Sequence, residues 1–261
     1  AIHEYIARTF CEDDDRVLIV GPTYDNFRTV IESTGAKVEY FYLKSDFGLN
    51  ELELNNKIGS KKYKLVYICN PNNPTGTIFE TGNLKKLFKK YQQTLFIIDE
   101  AYYEFTGVTL SGSIRENKNV IITRTFSKAF GLASFRIGFC ISDKKNIQSM
   151  NLLRNPKNIP ALSQIAAIAA LDSIEYTMDY VKEVNYTKNY FIQKLKKLNI
   201  KVCSGGGNFV LLYIGQESAI AFVSFLEQNK IFVRNYQHVK GMSGYVRITI
   251  GNEKQMNIVL N

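Results

Sequence analysis

Histidine is scarce in this chain of 261 residues, with only His3 and His238. With no Ser-His-Asp arrangement in view, triad hydrolases and metal hydrolases are poor readings. The four cysteines, Cys11, Cys69, Cys140 and Cys203, lie far apart and form no CxxC pair. That argues against a zinc site or a disulfide framework and fits a reducing cytosol. The longest unbroken apolar run, Ile165 to Leu171, is too short to span a bilayer. No signal-peptide pattern opens the sequence, because Ala1–Phe10 is an amphipathic stretch interrupted by His3, Glu4 and Arg8. A GxxxxGK[ST] loop is missing, which disfavours a nucleotide hydrolase. Gly205-Gly206-Gly207 follows no βαβ unit of the right kind and is no dinucleotide fingerprint. There is no internal repeat and no low-complexity segment.

What is present is basic and apolar. The net charge is +9, from 33 Lys and Arg against 24 Asp and Glu, and 45% of residues are hydrophobic. The length allows one to two domains with a sizeable core. Lysines gather at Lys61–Lys64, Lys85–Lys90 and Lys194–Lys197. The last two groups alternate with Leu84, Leu87, Phe88, Leu195 and Leu198, so they read as solvated helix faces. No nucleic-acid-binding motif accompanies them. Attraction of anionic metabolites is an intermediate reading.

The first part of the chain alternates short apolar runs with helical patterns. Strands are expected at Val17–Val20, Lys37–Tyr42, Leu65–Cys69, Leu95–Ile98, Val120–Thr123 and Ile137–Ile141, and helices at Asn26–Ser33 and Thr81–Tyr91, the latter capped by Thr81. Near-continuous Val/Ile/Leu runs mark strands buried on both faces, hence an α/β protein with a mainly parallel sheet sandwiched by helices. Pro156 and Pro160 bracket a connector. Helical patterns over Ala161–Leu171 and Ile174–Leu198 follow it. Then come Lys201–Cys203, a strand Asn208–Ile214, a helix Ser218–Gln228, and strands Ile231–Arg234 and Tyr245–Ile250. We expect a larger α/β domain over 1–154 and a smaller C-terminal α+β domain over 155–261.

Open parallel sheets bind ligands beyond the carboxyl ends of their strands. There the sequence places Tyr24, Asn73, Asp99 with Tyr102, and Thr125, Ser127 and Lys128, with Arg136 further on. Together they make an aromatic plate, a buried acid, an amine and an anion-binding group.

Four segments then carry a resemblance: Asn70–Gly76 (NPNNPTG), Asp99–Phe105 (DEAYYEF), Thr125–Phe139 (TFSKAFGLASFRIGF) and Val246–Gly251 (VRITIG). In this order the chain resembles fold-type I pyridoxal-phosphate aminotransferases, and the histidinol-phosphate aminotransferase-like branch in particular. The resemblance implies pyridoxal 5'-phosphate as cofactor. Lys128 would form the Schiff base with it, and Asp99 would bond the pyridine nitrogen and keep the ring cationic. Asn73 and Tyr102 (rather than Tyr103) would contact the phenolic oxygen, and Tyr24 would stack on the ring. Thr125, Ser127 and Arg136 would hold the phosphate, aided by the N-terminus of a following helix. Arg247 matches the arginine that holds the substrate's anionic group, Arg234 one that helps to bind a substrate phosphate, and Asn208 an asparagine near the substrate. An amino donor, an oxo-acid acceptor and a homodimer are implied, with no nucleic-acid or membrane partner. A phospho-amino-acid decarboxylase of the same fold and a non-catalytic cofactor-binding regulatory module are the alternatives.

Ser134 and Phe135 replace the small-Gly-Leu usual before Arg136. Members of the family also carry a further segment ahead of the position of Ala1, so the sequence reads as part of a longer chain.

Overall fold

The computed structural model describes residues 2–260, the side chain of Ser204 excepted; Ala1 and Asn261, at the edges of the expected domains, lie outside the described residues. Nine helices and ten strands alternate through those residues: α1 (Ile2–Phe10), β1 (Arg16–Gly21), α2 (Asn26–Glu32), β2 (Lys37–Tyr42), α3 (Glu51–Ser60), β3 (Leu65–Cys69), α4 (Thr81–Lys90), β4 (Leu95–Asp99), β5 (Val120–Thr125), β6 (Gly138–Ser142), α5 (Lys144–Leu153), α6 (Ala161–Asp172), α7 (Ile174–Lys197), β7 (Lys201–Ser204), β8 (Phe209–Tyr213), α8 (Ser218–Gln228), β9 (Arg234–Asn235), β10 (Tyr245–Thr249) and α9 (Glu253–Leu260).

The first six strands form one sheet in the order β2-β1-β3-β4-β5-β6. All its pairings are parallel except β5 with β6. Side chains alternate across a strand, so each apolar run feeds two cores. Leu18, Val20, Val66, Ile68, Phe96 and Ile98 pack on one face with Leu54 and Ile58 of α3 and Leu84, Leu87 and Phe88 of α4. Val17, Ile19, Leu65, Tyr67 and Ile97 pack on the other with Ile6 and Ala7 of α1, Phe27 and Ile31 of α2, and Met150 of α5. Each such side chain contributes about 1.5–3 kcal/mol on full burial, which is why unalternated runs specify a covered sheet.

The later strands form an antiparallel sheet, β7-β8-β10-β9. The long helix α7 covers it through Val181, Val184, Phe191 and Leu195. That core also takes in Tyr102, Phe105 and Ala129 from the loops of the first sheet. No described helix is long and apolar enough to cross a membrane.

Several local expectations change. Helices α3 and α5 were not anticipated. Their starts are signalled by Asn50, whose side chain accepts from Glu53 N, and Asp143, which accepts from Lys145 N. Thr81 is the first helical residue rather than the cap; Glu80 precedes it and makes no side-chain cap bond. The strand expected over Ile231–Arg234 is reduced to Arg234–Asn235, because Lys230 turns at positive φ and Ile231 N bonds back to the carbonyl of Leu226 at the end of α8. No α-helix follows Lys128. Gly131 sits at φ +69, Leu132 N returns to Phe126 O, and only a 3₁₀ turn at Ala133–Phe135 forms. The expected helix-dipole contribution from that side is therefore lost.

Beyond β4, Glu100 is 1% exposed and collects donors from Thr109 Oγ1 (2.8 Å), Leu110 N (2.7 Å) and Arg124 Nη2 (2.8 Å). The Arg124 guanidinium also lies 3.6 Å from the Tyr103 ring centroid. This network fixes the segments leaving β4 and β5 relative to each other. Glu100→Ala leaves the partly buried Arg124 guanidinium without its carboxylate, and should lower unfolding free energy by about 3 kcal/mol, read as a reduced urea midpoint.

Candidate active site

Asp99 is the last residue of β4 and 6% exposed. One carboxylate oxygen, Oδ2, accepts from the Tyr67 hydroxyl at 2.8 Å, and Oδ1 accepts from Ala101 N at 3.1 Å. His3 brings Nε2 to 3.6 Å from Oδ2. Burial, and then the charge of Asp99, push the Tyr67 hydroxyl well above its ordinary range, so it stays protonated as a donor.

Beyond β3, the Asn70–Gly76 loop is held by its own amides. Asn70 bonds both polar backbone atoms of Phe79 (2.9 and 3.2 Å). Asn72 donates to Pro22 O (2.9 Å) and accepts from Thr23 Oγ1 (2.8 Å), which ties this loop to the Gly21–Tyr24 turn after β1. Asn73 Oδ1 accepts from Arg247 Nη1 at 2.6 Å, linking the loop to β10 of the second sheet.

Lys128 lies in the loop after β5, half-buried, with Nζ 5.4 Å from the Tyr102 ring centroid. Burial and then the Arg247 guanidinium lower its pKa, with Arg136 adding to the effect; Asp99 works in the opposite sense. The amine therefore loses its proton at a lower pH than a solvated lysine does. The same electrostatic neighbourhood includes Tyr24, whose hydroxyl is raised by burial and then by Asp99. Tyr24 is 40% exposed and accepts from Asn26 Nδ2 at 2.7 Å. Tyr102 is buried, edge-on to Phe209 at 5.3 Å, whereas Tyr103 packs under Arg124.

Thr125 ends β5, and its Oγ1 accepts from Ser127 N at 3.1 Å. Arg136 is exposed, with a left-handed backbone, and Nη1 donates to Ala133 O at 2.7 Å. Arg247 is half-buried, and its Nε is buried without a partner. A buried guanidinium donor without a partner is unusual, and the group also lies over the Phe209 ring at 5.0 Å. Arg234 lies opposite Arg247 in the β9–β10 register, but is exposed. Asn208 joins through its backbone, whose carbonyl accepts from Ile250 N at 2.8 Å.

Three contributors were overlooked in the sequence. His3 lies on the packed stripe of α1 with Ile6 and Ala7, at helical spacing. Tyr67 is the hydroxyl-bearing residue of an otherwise aliphatic β3, on the same strand face as Cys69. Lys188 is buried in α7 and donates to Gly205 O and Gly207 O, both at 3.0 Å. It pins a glycine strap against the Asn70–Gly76 loop, where Gly206 N bonds Gly76 O at 2.9 Å. A Cβ on Gly205 would meet Gly76 O at 1.6 Å, so the strap admits no side chain there.

Where the segments of the two sheets meet, a desolvated lysine, a buried carboxylate and an arginine with an unpartnered donor act on one another electrostatically, an arrangement suited to covalent amine chemistry on an anionic small molecule. The chain belongs to the family "Aminotransferase class I and II", whose model matches residues 1–261. It is similar to a dihydroxyacetone phosphate transaminase of Campylobacter jejuni, 47% identical over 98% of this chain and 70% of that protein. It is also similar to a histidinol-phosphate aminotransferase of Ruminiclostridium cellulolyticum, 33% identical over 99% of this chain and 72% of that protein. Among solved structures, the histidinol-phosphate aminotransferase of Sinorhizobium meliloti in complex with pyridoxal-5'-phosphate superposes with a TM-score of 0.92 at 25% identity, covering 100% of this chain and 72% of that one.

Lys188→Met removes the donors from two glycine carbonyls. The expected cost is about 1–3 kcal/mol, together with faster limited proteolysis at Gly205–Gly207.

Proposed function

We propose that this pyridoxal-phosphate-dependent aminotransferase moves an amino group between an amino acid and a small phosphorylated carbonyl compound, with dihydroxyacetone phosphate the first acceptor to test. The observation that carries this reading is the shared site of Lys128, Asp99 and Arg247, whose buried Nε lacks a partner. The name of the relative in Campylobacter jejuni supports the choice of acceptor.

The donor set fits the cofactor: one carboxylate, one amine of lowered pKa, an amide, a phenol, two hydroxyls and guanidinium groups. When bound, pyridoxal phosphate supplies an aldehyde that takes up amines and a ring that accepts electrons released at the donor's Cα. Asp99 would hold a ring N–H, with its charge kept in place by Tyr67. Asn73 presents its amide hydrogens, since its carbonyl oxygen is taken by Arg247. Tyr102 presents a hydroxyl and Tyr24 a ring face. Thr125, Ser127 and Arg136 supply hydroxyls and a guanidinium for phosphate oxygens. Lys128 Nζ, as the free amine, would take the proton from the donor's Cα and, as the ammonium, would deliver one to the cofactor's aldehyde carbon, acting as base and then acid. Arg247, with Arg234 beside it, receives the substrate's anionic group, and Asn208 lies next to the strap that borders this region.

The division into a cofactor-binding domain over 1–154 and a smaller domain over 155–261 is part of this reading, supported by the two separate sheets. So is a homodimer. Helix α6 exposes Leu162 (74%), Ile165 (62%) and Ile168 (60%) at helical spacing, and Leu152 and Tyr176 flank it, an apolar surface suited to a second copy. A reducing cytoplasm fits the four free cysteines.

Incubation with an amino donor and dihydroxyacetone phosphate should yield the phosphorylated amine and an oxo acid. Release of carbon dioxide instead would support the decarboxylase, and cofactor binding with no conversion the regulatory module. Lys128→Ala should abolish amino transfer. Arg247→Leu should lower kcat/KM for the phosphorylated substrate by about 10–100-fold, as loss of a charged hydrogen bond implies. The Lys128 amine should capture the cofactor aldehyde with a pH midpoint below that of a free lysine. Because Arg247 disfavours the ammonium, Arg247→Leu should move that midpoint upward, as read by absorbance across a pH series.

A further inference from the structure

We propose that His3 is a positioning residue for Asp99: its imidazole packs beside the carboxylate and holds its orientation. This rests on the reading of Asp99 as the acid that meets the cofactor ring.

Three elements converge behind Asp99. Tyr67 comes from β3 and donates to Oδ2 at 2.8 Å. Thr123 comes from β5, where it is the parallel-ladder partner of Asp99. His3 comes from α1 and places Nε2 3.3 Å from Thr123 Oγ1 and 3.6 Å from Asp99 Oδ2. The first distance is a hydrogen bond and the second is not, so Thr123 anchors the imidazole, which acts on the carboxylate by proximity and through its dipole. The ring is wedged edge-on against Phe27 (5.1 Å) and Tyr67 (5.8 Å), which stack on each other at 4.1 Å. These two edge contacts and the Thr123 bond set its place beside the carboxylate.

The protonation state is set by the surroundings. Burial lowers the pKa of His3 and outweighs the opposing pull of Asp99. A neutral ring leaves the negative charge of Asp99 uncompensated on this side. The carboxylate is held by donors that fix its angle without neutralising it, and its charge stays available for a cation on the open side. A salt-bridged lysine or arginine in the same place would compete for that charge. Helix α1 thus does more than cover the sheet: Glu4 and Arg8 pair on its outer surface at 3.0 Å while His3 serves the inner one.

The test uses the purified full-length chain, with cofactor affinity read by absorbance titration and ring-nitrogen protonation read from the 15N shift of bound, ring-labelled pyridoxal phosphate. His3→Leu fills similar space without a donor and should weaken cofactor binding by about tenfold and shift the 15N signal toward the unprotonated ring. His3→Gln, which restores a side-chain donor, should recover most of both. In an Asp99→Asn background, His3→Leu should have no further effect, since a residue acting through Asp99 has nothing left to position. Equal losses in both backgrounds, or a His3→Leu variant that binds and titrates like the parent while Asp99→Asn does not, would overturn the proposal and leave the role of Asp99 standing. An Asp99→Asn variant with unchanged affinity and 15N shift would sink the underlying reading. If His3→Leu fails to fold, His3→Gln against His3→Asn and the same two readouts carry the comparison, and parental values in both overturn the proposal.

Discussion

The site is organised around one buried negative charge. Asp99 ends a strand whose neighbours are aliphatic, in a place where an isolated carboxylate is strongly disfavoured. It is tolerated because Tyr67 and Ala101 N donate to it. Both donors are uncharged groups, a hydroxyl and a backbone amide. The lowered pKa of Lys128 is the counterpart. Burial and the Arg247 and Arg136 guanidinium groups disfavour the ammonium more than Asp99 favours it. The amine is thus driven toward the charge state that covalent amine chemistry requires, by its surroundings rather than by direct pairing.

Holding that balance requires the two sheets to stay in register with each other. Shared apolar cores join them, and a few polar contacts set the fit beside the site. Arg247 bonds Asn73, Gly206 bonds Gly76, and Lys188 fastens the strap from behind. The first two are polar contacts between the two parts, and the third braces the strap that makes one of them. A shift of either sheet would therefore be felt as a lost hydrogen bond in the cleft as well as lost packing. The Glu100–Arg124 pair plays the same part within the first sheet, setting the exits of β4 and β5.

Much of this architecture is visible in the linear pattern because the physics behind it is local. A strand covered on both faces must be apolar throughout, and β1, β3, β4 and β5 are. Four ordered motifs identify the family because each supplies a group that the chemistry needs. The less visible features depend on partners distant in sequence. Helices α3 and α5 carry weak apolar stripes and are announced mainly by their caps. The strand expected at Ile231–Arg234 yields to a turn that closes α8. The turn at Gly131 replaces an expected helix, because the backbone after Lys128 bonds back on itself. Phe27, Tyr67 and His3 belong to three separate elements, so nothing in their spacing marks them as one cluster.

Taken alone, the order of residues determined the covered parallel sheet and the cofactor class, and it singled out the amine and acid of the proposed site, because these depend on residue type and on patterns a few positions long. The tertiary structure decided which tyrosine donates to Asp99, that His3 stands behind it, that Asn73 is oriented by Arg247, and that a buried lysine holds the glycine strap. Those choices follow from the angle at which elements pack and from what is excluded from water between them. No short stretch of sequence encodes either quantity.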